Sequence, residues 1–146
     1  MAATGAWEGD EGTPADGCYA ARHTGIVSFN AGKQLTVDPS KGPRAEAHDN
    51  WYLLLDALSK SFQICTLQET GAGGRSNERL VREIVACWSR RTGIAARVWI
   101  TAGAGMPYAG GPAGGLATIV FGAWASRGRA ARHWLDGRGL WVELQE

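Results

Sequence analysis

The chain has 146 residues, of which 45% are hydrophobic, and its formal net charge is +1. That length fits one domain with a buried core. The sequence has no secretory signal pattern and no run of about 18 apolar residues, which argues against a secreted or membrane-spanning protein. Cys18, Cys65 and Cys87 have neither metal-ligand spacing nor the pattern of a disulfide framework. We therefore expect an intracellular protein, nuclear or cytoplasmic, without a membrane anchor.

The first half of the sequence predicts a tail, a strand and a helix. Residues 1–24 are rich in Gly, Ala and acidic residues and show no periodicity, so we expect a disordered tail. Ordered structure is predicted from Gly25 onward, where a short apolar strand ends at Asn30. Within residues 44–62, one face at helical spacing predicts a helix; this face contains Ala47, Trp51, Leu54, Leu55 and Leu58.

The second half predicts a further helix among several strands. An apolar strand runs into Glu69, and a helix follows over residues 76–93, with Ser76 as its cap and Trp88 on its apolar stripe. Strands are predicted at residues 96–101, 114–121 and 139–144. This order favours an α/β fold whose sheet becomes mixed or antiparallel late in the chain. Because they fall on apolar elements, Trp88, Trp99 and Trp141 are expected in the core.

Glu69 follows the end of a strand that is otherwise predicted to be buried, in the stretch "SFQICTLQETGAGG". One interpretation is a glycine-rich turn that holds a phosphate at a helix N-terminus, but the glycine pattern is incomplete and Glu69 would repel the phosphate. The other interpretation is a hard cation on Glu69, with Asn30 beside it if the two strands are parallel. The simplest alternative has no cation. In it, Glu69 is a solvated surface residue and Asn30 only forms a turn with the glycine that follows.

The segments "IVSFNAG", "LLLDALSKSFQICTLQET", "GGLATIVF" and "LDGRGLWVEL" resemble, in this order, the endonuclease/exonuclease/phosphatase family. The resemblance covers residues 25–146 and is greatest to exonuclease III, the apurinic endonucleases and the endonucleases of non-LTR retrotransposons. It implies the N-terminal half of an α/β sandwich, with one mixed sheet and two helices on its outer face.

The resemblance also implies a function and a site. Asn30 matches the asparagine of the first motif, and Glu69 matches the metal-binding glutamate, with Gln68 packed beside it. The implied activity is that of a Mg²⁺-dependent or Mn²⁺-dependent hydrolase that cleaves DNA as a nuclease. Phe29 stands where the family often has Trp, and Gly32 stands where it has an acid or amide.

The tyrosine, Asp-Asn and Asp-His segments that follow in the resembling enzymes do not occur in this sequence. His23, His48 and His133 are poor substitutes for the missing base, so we expect a truncated domain that is inactive alone. With one sheet face uncovered, it is expected to be poorly stable or self-associating. The alternative is a non-catalytic interaction or scaffold fragment that retains only the sheet.

Residues 125–138, "ASRGRAARHWLDGR", form a basic segment that we interpret as a loop. Its Arg127, Arg129 and Arg132 lie near Trp124 and Trp134 in sequence, a combination that suits contact with a nucleic-acid backbone and stacking on bases. A solvated loop is the alternative. Lysine and arginine outnumber acidic residues by ten to five over residues 71–146, so this half slightly favours a polyanionic partner.

Overall fold

Eight strands, two α-helices and one 3-10 helix follow one another in the computed structural model, which describes residues 25–72, 75–101, 107–108, 111–112, 115–134 and 139–145. In chain order they are β1 (Ile26–Asn30), α1 (Asp49–Ser59), β2 (Ile64–Gln68), α2 (Arg75–Thr92), β3 (Ala96–Ile100), β4 (Pro107–Tyr108), β5 (Gly111–Pro112), β6 (Ala117–Phe121), the 3-10 helix (Gly122–Arg127), β7 (Gly128–Trp134) and β8 (Gly139–Leu144). The tail predicted for residues 1–24 lies outside the described residues. Because α2 begins at Arg75, the predicted cap Ser76 lies inside the helix rather than before it.

A four-stranded sheet in the order β1-β2-β6-β3 forms the centre of the fold. β1 and β2 are parallel, whereas β6 is antiparallel to both β2 and β3. The prediction of an α/β fold with a mixed sheet is therefore confirmed. The pairs β4–β5 and β7–β8 are separate two-stranded ribbons.

Both helices pack on one face of this sheet because alternate strand residues and one stripe of each helix are apolar. Val27, Cys65 and Ile119 project from the strands into a single core cluster. Trp51 of α1 and Ile84 of α2 lie in the same cluster and are fully buried. Trp88 of α2 is 2% exposed, as predicted, and its Nε1 donates a hydrogen bond to Asp56 Oδ1 at 2.8 Å.

The opposite face of the sheet is covered over β3 and β6 but open over β1. Trp99 on β3 and Val120 on β6 are buried there, and the chain returns over Trp99 at Gly128. On β1 the same face is open, with Ile26 52% exposed. A hydrogen bond from Gln68 Nε2 to Ser28 Oγ, 3.0 Å long, crosses this open part. The open region therefore carries polar as well as apolar side chains.

Two predictions for the end of the chain are wrong. Residues 128–134, predicted as part of a basic loop, form β7 and pair antiparallel with β8. Backbone pairing with β8 makes this segment a strand, although it lacks apolar alternation. Trp141 on β8 is 58% exposed rather than in the core. β8 pairs with β7 alone, so this ribbon adds no strand to the central sheet.

Among the described residues, no helix is both long and apolar enough to cross a lipid bilayer.

The two described cysteines are expected to differ sharply in reactivity. Cys65 is fully buried, and burial raises the pKa of its thiol to about 12, whereas Cys87 is partly exposed. Because the thiolate is the reactive form, a thiol reagent at mildly alkaline pH should modify Cys87 and spare Cys65 until the protein unfolds. Mass spectrometry of the modified peptides measures this, with urea-unfolded protein as the control. Equal rates at both cysteines in the native protein would contradict the assignment.

The same thiol makes folding stability depend on alkaline pH. The folded state holds the proton of Cys65 more tightly than the unfolded state, in which the pKa is near 9.0. The stability that the neutral thiol contributes is therefore complete below about pH 9 and decreases as the pH rises toward 12.

Candidate functional site

The carboxyl ends of β1 and β2 lie side by side, and this places the two predicted site residues at the same edge of the sheet. Asn30 is the register partner of Gln68, and Glu69 is the next residue of the chain. Both Asn30 and Glu69 are exposed. We predicted that Asn30 lies beside Glu69 if the two strands are parallel. This parallel pairing is present.

Glu69 has a left-handed backbone, with φ of 51°. In the described part of the chain only one other non-glycine residue has positive φ, and this is Lys33, with φ of 63°. The two residues meet, because Lys33 N donates a hydrogen bond to Glu69 O at 2.7 Å. Such conformations cost free energy in residues other than glycine and persist where surrounding contacts hold them.

Backbone hydrogen bonds fix the segment that follows Glu69. Leu35 N donates to Thr70 O at 3.1 Å, and Thr70 N donates to Gly115 O at 3.2 Å. Thr70 is itself fully buried, and its Oγ1 accepts a hydrogen bond from Ala72 N. These bonds hold Glu69 between the loop after β1 and the segment before β6, with its carboxylate directed to the surface.

Gly71 allows the loop after β1 to pack against this segment. Its φ is +75°, and a Cβ atom at this position would lie 2.8 Å from Cγ2 of Thr36. A side chain here would therefore strain the backbone and displace the loop.

The side chain of Asn30 stabilises a turn. Its Oδ1 accepts a hydrogen bond from Gly32 N at 2.7 Å, which is the geometry of an Asx-turn. Gly32 has φ of +57°, so this turn needs the conformational freedom of glycine. The turn considered as an alternative for Asn30 is therefore present. An amide oxygen has a second lone pair, so this bond does not prevent it from accepting another partner.

The described residues contain no group of three or more His, Cys, Asp or Glu side chains that could hold a metal ion together. Glu69 and Asn30 therefore offer one carboxylate and one amide oxygen. This donor set suits a hydrated Mg²⁺ ion, which keeps several waters and takes one or two carboxylates.

The arginines predicted to contact nucleic acid lie elsewhere, beside the other edge strand of the sheet. The Arg127 guanidinium stacks over the Trp124 ring at 4.8 Å, and Arg129 is exposed. Arg132 lies on β7, opposite Trp141, and its side chain is outside the described residues. The structure adds Arg97, which stacks over Trp99 at 4.6 Å and donates a hydrogen bond to Gly128 O at 3.2 Å.

His48 has a structural position immediately before α1. It is 5% exposed, and its Nε2 accepts a hydrogen bond from Asp38 N at 3.2 Å. A buried imidazole engaged in this way is not available to activate water at the surface. His23 and the side chain of His133 lie outside the described residues.

Comparison with known proteins gave no match to any protein-family model, curated protein or solved structure.

The sequence did not predict the roles of Lys33 and Thr70. Their backbone groups form the hydrogen bonds that fix the position of Glu69. Lys33 follows an asparagine and a glycine, which indicates a turn but not its contact with Glu69. Thr70 reads as a polar loop residue, yet it is fully buried. Both roles depend on contacts between segments that are distant in sequence.

Proposed function

We propose that the protein binds Mg²⁺ or Mn²⁺ through Glu69 in the manner of the phosphodiester hydrolases that act on DNA, including retrotransposon endonucleases, and that this chain alone does not hydrolyse DNA. The observation that carries this proposal is the left-handed Glu69, exposed at a strand end beside Asn30. This backbone conformation costs free energy, and hydrogen bonds of Glu69 and of the following residue, Thr70, hold it. Such a conformation suits a residue whose carboxylate must point in one direction.

In this proposal Glu69 ligates the cation and Asn30 orients the carboxylate or adds an amide ligand. The cation would polarise a phosphodiester oxygen and neutralise negative charge that develops during cleavage. The exposed position leaves room for the waters that Mg²⁺ retains. Arg129 and the stacked Arg127 give the DNA backbone an additional positive surface on another part of the molecule.

Titration with Mn²⁺ tests the metal site directly. We expect paramagnetic broadening of the backbone amide NMR signals of residues 67–71 and of Asn30, with weak affinity because only one carboxylate binds. Glu69→Gln keeps the size of the side chain and should abolish the broadening. Glu46→Gln, which changes another exposed carboxylate, should leave it intact. Identical broadening in the wild type and in Glu69→Gln would remove the metal role.

The purified chain is expected to show no cleavage of abasic or nicked duplex DNA above a Glu69→Ala control. Hydrolysis needs a base and donors for the leaving oxygen, and loss of such groups typically costs about 10²-fold or more each. The buried His48 does not supply a base. Release of labelled DNA fragments measures the activity, and metal-dependent turnover that Glu69→Ala lacks would contradict this expectation.

The second candidate is a non-catalytic interaction or scaffold function, and the Asx-turn at Asn30 favours it. An amide that stabilises a turn has a sufficient structural reason to be there. The two candidates differ in the Mn²⁺ titration, because a scaffold requires no cation at Glu69.

A further inference from the structure

β1 is an edge strand with an open hydrogen-bonding side. Among the described residues, its strand neighbour is β2 and no other. Ala31 N donates to Gln68 O, and Gly25 O accepts from Ile64 N, so the backbone groups of alternate residues point toward β2. By this alternation, the N–H and C=O groups of Ile26, Ser28 and Asn30 point outward in the plane of the sheet, on the side of β1 opposite to β2.

This edge lacks the usual protection against pairing. Its sequence, IVSFN, contains no charge and no proline. The other edge strand, β3, carries Arg97, whose guanidinium is hydrogen-bonded to Gly128 O. The difference makes β1 the edge that is able to accept another strand.

Apolar surface is concentrated beside the same edge. A groove of about 400 Å³ lies between β1 and α1 and is lined by residues that include Phe29, Asn50, Leu53 and Leu54. Leu53 is 64% exposed, and Ile26 on β1 is 52% exposed. Large exposed apolar side chains grouped near an open edge mark a surface that associates.

We propose that β1 pairs antiparallel with β1 of a second copy of this chain, which joins the two central sheets into one. A two-fold axis at Ser28 makes Ile26 of one copy the partner of Asn30 of the other. All the outward-pointing groups of β1 are then paired, and the contact is closed and self-complementary. This dimer uses the backbone of Asn30, whereas the function proposed for Glu69 uses the Asn30 side chain, so neither proposal requires the other.

The charges of α1 fit this arrangement. The same axis places the two α1 helices side by side and antiparallel. Asp49, Leu53 and Lys60 are spaced so that they share one face of the helix. Asp49 at the start of one α1 then approaches Lys60 after the end of the other, while the two Leu53 side chains lie between them.

The acidic segment 1–24 of the same chain is a worse occupant of this edge. That segment carries a net charge of −3. The residues lining the groove include no lysine or arginine, and Asp49 lies beside Asn50 in the sequence. The face formed by Asp49, Leu53 and Lys60 carries one charge of each sign, so it complements an antiparallel copy of itself better than a segment with a net negative charge.

Sedimentation velocity across a wide range of concentration tests the dimer with the full chain. The wild type should show a monomer–dimer equilibrium. Ile26→Lys and Leu53→Lys alter exposed side chains and should each raise the dimer Kd by about 10-fold or more while far-UV circular dichroism stays unchanged. Ile94→Lys, at an exposed apolar position after α2, is the matched control and should leave Kd unchanged.

Charge exchange tests the orientation of the helices. Lys60→Asp alone should raise Kd about 2-fold to 5-fold, and adding Asp49→Lys should restore it. A monomer at every concentration would overturn the proposal. In such a monomer, slow exchange of the amides of Ile26 and Ser28 would show that the chain itself covers the edge. Equal loss of association in Ile94→Lys and Leu53→Lys would also overturn it, by assigning association to other surfaces.

Discussion

Trp51→Ala is expected to destabilise the fold strongly. Trp51 is fully buried in the core between α1 and the sheet, and its Nε1 donates a hydrogen bond to Leu35 O at 2.8 Å. Truncating a buried tryptophan to alanine typically costs about 3–5 kcal/mol. Domain stabilities are about 5–15 kcal/mol, so this loss is a large fraction of the total and should clearly lower the urea midpoint.

Urea unfolding followed by far-UV circular dichroism measures this loss. Trp51→Phe retains most of the apolar volume but leaves the Leu35 carbonyl without its donor, so we expect a smaller loss of about 1–3 kcal/mol. Glu46→Ala, at an exposed position before α1, should change stability by less than about 0.5 kcal/mol. A loss below about 1 kcal/mol for Trp51→Ala would contradict the described core.

Gly128→Ala is expected to destabilise the protein by steric overlap alone. A Cβ atom at Gly128 would overlap Cζ2 and Cη2 of the Trp99 ring. The backbone of Gly128 has φ of −69° and ψ of 126°, which alanine adopts without strain. Because Trp99 is 8% exposed and stacks against Arg97, its ring has little room to move, and overpacking should cost about 1–3 kcal/mol.

A double-mutant cycle separates this overlap from other effects. Trp99→Phe removes the ring atoms that meet the new methyl group, so Gly128→Ala should cost less in the Trp99→Phe background than in the wild type. Gly42→Ala is the control, since a Cβ atom there meets nothing within 4 Å. Equal costs of Gly128→Ala in both backgrounds would show that the ring is not the cause.

The sequence was sufficient to predict the elements of the core, because local periodicity decides them. The stripe containing Ile84 and Trp88 predicted α2, and the apolar run ending at Gln68 predicted β2, both within a few residues of their observed ends. The parallel pairing that brings Asn30 beside Gln68 was a condition of the predicted site, and two strands joined through a helix meet that condition.

The remaining features depend on contacts that no local pattern contains. β7 is a strand because it pairs with β8, and Trp141 is exposed because that ribbon is not part of the central sheet. The left-handed conformations of Lys33 and Glu69 occur where two segments distant in sequence meet through a backbone hydrogen bond. Sequence therefore predicted that Asn30 and Glu69 lie at neighbouring strand ends, but not the left-handed backbone conformation of Glu69.

The strand order has a consequence for synthesis on the ribosome. β6 lies between β2 and β3 in the sheet, yet it follows both in the chain. Until residues 117–121 have been made, β2 and β3 have no strand to join them. At about 5–20 residues per second, translation from Ile100 to Phe121 takes roughly 1–4 s. About the same interval separates the emergence of β3 from that of β6, so the sides of β2 and β3 that later pair with β6 are unpaired for that time.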